Sequence, residues 1–145
     1  MAAHLARGTP LTAFGPPREN LVTLPPPRLS VSAAEIVGEV LHIDRFGNLI
    51  SSIGRLSWED DERLQFSPRF GAQINFPGAL VAAACRVQIG NQPVGPIRRT
   101  YGAVPAGEVT ALIGSAGQLE IGVNQGNAAQ ALQATIGDPV MLRFA

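Results

Sequence analysis

Two short runs in this chain hold polar side chains of the kinds that recognise ligands. The first is Asp44-Arg45-Phe46-Gly47-Asn48. An Asp carboxylate can hold an ammonium group. An Asn amide offers a donor and an acceptor together, which matches the edge of an adenine. Phe46 can wall a flat pocket, and Gly47 lets backbone or ligand come close. The same residues are common turn formers, in which Asp44 and Asn48 would bond their own backbone. The second run is Gly114-Ser115-Ala116-Gly117, continued by Leu119-Glu120-Ile121 and Asn124-Gln125-Gly126-Asn127. A Gly-Ser turn exposes backbone N–H groups and a hydroxyl, a cradle for a carboxylate. Asn124 and Gln125 can read a base, or they can cap the helix that opens at Asn127. A hairpin followed by a capped helix accounts for the run without any ligand.

Other chemistry finds little support. There is no phosphate-binding Walker loop and no Ser or Cys beside an obvious His. The single cysteine, Cys85, rules out an intrachain disulfide and Cys-rich zinc sites, and among alanines it reads as a small buried hydrophobe. His4 and His42 share no ligand spacing, so no metal is expected, and His42 reads as structural. Tyr101 follows Arg98-Arg99-Thr100 in a loop, where it either covers a ligand or is simply half-buried. Eleven basic residues, all Arg, balance eleven acidic ones, and charged residues are 15 % of 145. A neutral, weakly charged chain is a poor nucleic-acid binder and a poor membrane-surface binder. With no apolar run near the roughly 20 residues of a membrane span and no signal peptide, a soluble, cytoplasmic protein is expected.

The elements that must position these runs read as mainly β. Residues 2–7 form a short helical pattern stopped by Gly8. Residues 8–34 carry six prolines and read as a semi-rigid linker, so the globular domain is expected over 35–145. Strands are expected at 36–43 (broken by Gly38), 48–53, 72–76, 80–89, 109–113, 118–123 and 139–144. Residues 57–64 read as a helical turn or two, because Ser57 and the acids after it resemble a helix start. Trp58 reads as local core. Residues 90–107 read as loop, and 127–133 as a short helix capped by Asn127. Together these predict an antiparallel β-barrel-like domain with one or two short helices, preceded by a Pro-rich linker.

Residues 38–50, Gly-Glu-Val-Leu-His-Ile-Asp-Arg-Phe-Gly-Asn-Leu-Ile, resemble a signature of the S-adenosylmethionine (SAM) hydroxide adenosyltransferases. These SAM hydrolases are related to the SAM-dependent fluorinases and chlorinases. The runs at 101–108 and 114–129 resemble the same family in the same order. The likeness covers residues 36–145, and residues 2–34 resemble the end of the family's first domain and its linker.

The resemblance implies a C-terminal β-barrel-like domain whose partner is an N-terminal α/β domain. It also implies a trimer, with each site between the first domain of one subunit and the second of its neighbour. The implied reaction is attack of water or halide at C5′ of SAM, with methionine leaving. SAM is the substrate, and no cofactor is implied. By motif, Asn48 would bond the adenine edge, and Phe46, Ile50 and Tyr101 would line the adenosine walls. Asp44 would hold the methionine ammonium and Ser115 its carboxylate. The backbone around Val123, Asn124 and Gln125 would touch adenine. Ala116 stands where halogenases tend to carry Arg, which points to the hydrolase branch, and Gln118 stands where an aromatic is usual. The family's ribose-binding Asp and water-handling residues belong to the N-terminal domain, so a half-site without a catalytic centre is expected here, in a truncated or separately encoded domain prone to self-association. The alternatives are a barrel that keeps only the fold as a binding or assembly module, and a barrel that stacks single-stranded nucleic acid on its aromatics, which the neutral charge disfavours.

Overall fold

The computed structural model describes residues 1–70 and 78–144. The strand expected at 72–76 therefore lies outside the described residues. Helix α1 (Ala2–Ala6) ends before Gly8, whose φ of +80° only glycine adopts cheaply. From there the chain runs exposed through its prolines until β1 (Ser30–Val31) pairs with β2 (Glu35–Ile43).

The core is built by β2, β3 (Leu49–Gly54), β7 (Arg86–Ile89), β10 (Val109–Ile113), β11 (Gln118–Val123) and β12 (Pro139–Arg143). In β2 every second residue from Ile36 to Val40 is buried, and in β12 Val140 and Leu142 are buried, the period-two pattern that sets one face of a strand against a core. With β8 (Gln92–Gly95) and β9 (Ile97–Arg98) these strands form a sheet in the order β8-β7-β12-β2-β3-β11-β10-β9. The sheet curls into a nearly closed barrel, the fold class read from the sequence. Gly38 does not interrupt β2. A side chain there would strike Ser52, whose hydroxyl accepts the Glu39 N–H at 2.9 Å and donates to Arg28 O at 2.6 Å. The last part of the proline-rich segment is thus held against the barrel wall.

Three local expectations are corrected. Residues 57–64 form no helix. They lie in a hairpin of β4 (Leu56–Trp58) and β5 (Arg63–Phe66), extended by β6 (Leu80–Val81). Leu56, Leu64 and Phe66 are buried at strand spacing, and Asp60 accepts the N–H groups of Glu62 and Arg63 in the turn instead of starting a helix. The strand expected at 80–89 is two strands, β6 and β7, separated by a turn with Cys85 fully buried after it. The loop expected at 90–107 contains β8, β9 and a 3₁₀ turn, Tyr101–Ala103. Helix α2 (Ala128–Ala131) is capped by Asn127, which accepts the Gln130 N–H. Among the described residues no helix is long and apolar enough to cross a membrane.

Three register shifts interrupt the strand pairing, one of them between Val87 and Gln88 on β7 and the other two near the site. These two fall between Val40 and His42 on β2, and between Gln118 and Glu120 on β11. Bulges of this kind bend a strand and re-aim its side chains, and both lie beside one cleft, which Leu41, His42, Gln118 and Glu120 help to line.

Candidate functional site

The turn between β2 and β3 is organised by one carboxylate. Asp44 Oδ1 accepts the N–H groups of Phe46 (2.8 Å) and Asn48 (2.9 Å), and Oδ2 accepts Asn48 Nδ2 at 3.0 Å. Burial pushes the Asp44 carboxyl up, but hydrogen bonds from Asn48, Phe46 and Gly47 together outweigh it and hold it below its ordinary value. A carboxylate only accepts, so Asp44 decides which way the Asn48 amide faces: nitrogen toward Asp44, Oδ1 away from it. Asn48 is 8 % exposed. Its Oδ1 lies where a side chain on Gly122 would approach to 2.9 Å, so the glycine keeps that acceptor open.

Because its pKa is depressed, Asp44 contributes stability that is fully present above the ordinary carboxylate range and disappears as the pH falls through its lowered value. The urea midpoint of the wild-type chain is therefore expected to exceed that of Asp44→Asn at neutral pH, with the gap closing below about pH 4. A gap that stays constant into strong acid would show that Asp44 carries no such charge-dependent bonds.

The Tyr101 ring closes over the same face of Gly122, where an added Cβ would strike it. Its phenol donates to the Glu120 carboxylate and also meets the Asn48 side chain. Burial above all, then the bond to Glu120 and the charges of Glu120 and Asp44, push the phenol well above its ordinary value, so it stays protonated. Asn124 fastens this corner by donating to Val104 O at 2.7 Å.

These groups border two clefts. The first, about 640 Å³, is lined by Phe46, Asn48, Tyr101, Val123, Asn124 and Gln125, with Gly126 and Asn127 at its edge. The second, about 430 Å³, is lined by Ile50, Ser115 and Ala116, together with Leu41, His42, Arg69, Phe70, Gly114, Gln118 and Glu120. The Tyr101–Glu120 bond joins them, since Tyr101 lines one cleft and Glu120 the other. Nine of the ten residues singled out in the sequence line these clefts. Asp44 lines neither, and its oxygens face its own loop. Phe46 is 61 % exposed at the rim, with the Arg45 guanidinium 4.7 Å from its ring centre. Sequence reasoning missed Glu120 and Arg69 as lining residues. Glu120 had a signal, a carboxylate between the apolar Leu119 and Ile121. Arg69 had none, being 49 residues from Gln118, its hydrogen-bond partner.

The arrangement suits a ligand with a flat, hydrogen-bonding end and a polar arm. Residues 38–141, which include both clefts, match the family model of the SAM hydroxide adenosyltransferase C-terminal domain. The chain belongs to this family. It is 39 % identical over 143 residues to a Thermus thermophilus protein named (R)-S-adenosyl-L-methionine hydrolase, covering 97 % of this chain and 44 % of that protein. A Salinispora tropica protein of the same name is 33 % identical over 141 residues, covering 95 % and 45 % respectively. Two solved structures share the architecture: an uncharacterised conserved protein from Thermotoga maritima (TM-score 0.63, 28 % identity) and a conserved hypothetical protein from Thermus thermophilus (TM-score 0.60, 38 % identity). Each is covered to 48 %, against 97 % of this chain. The chain thus spans about half the length of the relatives it matches. In SAM hydroxide adenosyltransferase terms, it corresponds to the C-terminal domain.

Proposed function

We propose that this domain is the substrate-binding half of a SAM hydrolase, taking the adenosine of SAM in the larger cleft and the methionine arm in the smaller one. The observation that carries the reading is the oriented Asn48 amide at the wall of the larger cleft, whose free acceptor suits the N6 amino group of adenine. Phe46, Val123 and Tyr101 supply apolar wall, and Ile50 and Ser115 line the adjoining cleft for the arm. Asp44 acts as the anchor of Asn48, since its oxygens face its own loop and line neither cleft.

In the proposed reaction a water oxygen attacks C5′, the C5′–sulfur bond breaks with its electron pair going to sulfur, and the water gives up a proton. Adenosine and methionine result. The role of this chain is to hold both ends of the substrate so that C5′ is presented in line, the positioning part of catalysis. The groups that handle water and ribose would come from an N-terminal α/β domain, with a trimer bringing the two halves together and no cofactor required.

Titration calorimetry with adenosine and guanosine tests the reading. Guanine presents an acceptor where adenine presents N6–H, so guanosine is expected to bind at least about tenfold more weakly. Equal affinities, or no binding of either, would leave only a barrel that has kept the fold as an assembly module.

A further inference from the structure

The smaller cleft has one permanently cationic side chain among its described lining residues, Arg69, and it enters from a distant part of the chain. It follows β5, and its own N–H is fixed to Gly54 O at 2.6 Å. Its guanidinium Nη1 reaches Gln118 Oε1 at 3.4 Å. Gln118 is itself held, because its Nε2 donates to Ser51 O at 3.1 Å and so turns its oxygen toward Arg69. The ion pairs among the described residues use Arg63, Arg99 and Arg143, leaving Arg69 without a carboxylate. A guanidinium has five N–H donors in a planar fork, and here a neutral amide takes one of them.

In the same cleft, the Gly114–Gly117 turn is closed by the Gly117 N–H on Gly114 O at 2.9 Å. Within the described structure the N–H groups of Ser115 and Ala116 and the Ser115 hydroxyl have no protein partner. Ala116 brings no charge of its own. Two backbone donors, a hydroxyl and an unpaired guanidinium therefore share one cleft, a donor set for a carboxylate. Glu120 also lines this cleft; Tyr101 engages its Oε1, and its Oε2 lies beside Gly114.

We propose that Arg69 binds the α-carboxylate of the substrate's amino-acid arm together with the Ser115 turn, and so sets the preference for SAM over nucleosides that lack the carboxylate. This rests on the function proposed above. The segment that follows β5 then contributes a specificity residue to a site otherwise built from the main barrel.

The test is titration of the full chain, as wild type, Arg69→Met and Arg69→Lys, with SAM, with decarboxylated SAM and with adenosine. Arg69→Met is expected to weaken SAM binding 10- to 100-fold and to leave adenosine within twofold. Arg69→Lys should fall between, since lysine keeps the charge and loses the fork. Wild type should bind decarboxylated SAM at least tenfold more weakly than SAM, a comparison that holds even if a variant fails to fold. Unchanged SAM affinity in Arg69→Met, with adenosine still bound, would overturn the role of Arg69 and leave the adenosine reading standing. So would equal wild-type affinity for SAM and its decarboxylated form. Failure of the wild type to bind adenosine or SAM would overturn both.

Discussion

Replacing Asn48 with alanine is expected to weaken adenosine binding about 100-fold, roughly 2.7 kcal/mol. A site built to hydrogen-bond a ligand loses far more than a single contact when the polar group goes, because the base is then desolvated without a partner. The effect on folding should be smaller. Asn48 Nδ2 gives one bond to Asp44, and Asp44 is partly exposed, so water can replace the donor at a cost of about 1 kcal/mol. The separation of a large binding loss from a small stability loss is what identifies Asn48 as a recognition group. It is checked by calorimetry alongside urea unfolding, and adenosine affinity within threefold of wild type would remove Asn48 from the site.

Gly47→Ala is expected to be the most damaging small substitution near the site, costing about 2–4 kcal/mol and lowering Tm by roughly 10 °C. Two causes combine. Gly47 has a φ of +86°, where an alanine is strained by about 1–2 kcal/mol. Its added Cβ would also run into the Asn127 side chain. That side chain caps α2, and Gly47 O itself accepts the Ala129 N–H at 2.9 Å, so the clash disturbs the helix start from two directions. Gly107→Ala is the control. It has a φ of +83° with nothing within 4 Å of an added Cβ, so it should show the strain alone. Equal Tm losses for the two variants would show that the contact between the first turn and α2 contributes nothing.

That contact also shows how much of the site could be read from the chain alone. Each of the two polar runs was legible, because the chemistry of a turn or a cap is contained within a few residues. Asp44 does bond its own loop, and Asn127 does cap its helix. That the two runs touch was not legible, since nothing in either run names the other. Residues 57–64 show the converse. A Ser followed by acids is a sound local signal for a helix start, yet Leu64 pairs with Leu80 and Phe66 with Leu56, and burial of those side chains outweighs the local preference. The strands at 92–95 and 97–98 escaped notice for a related reason. They are short and broken by Pro93, Gly95 and Pro96, and they become strands only because β7 and β10 supply partners.

The sequence by itself determined the period-two strands of the barrel, the glycine turns between them, the neutral charge that disfavours nucleic acid, and the ordered motifs of a SAM hydroxide adenosyltransferase C-terminal domain. These are local patterns, fixed by backbone sterics and the alternation of apolar side chains. The tertiary structure alone decided that Asp44 orients Asn48 for the larger cleft, that Tyr101 and Glu120 join two clefts, and that Arg69 lines one cleft with the Ser115 turn. Those relations depend on strand register and on its shifts between Val40 and His42 and between Gln118 and Glu120. Register is set by which side chains pack across the barrel, and no short run of residues contains that information.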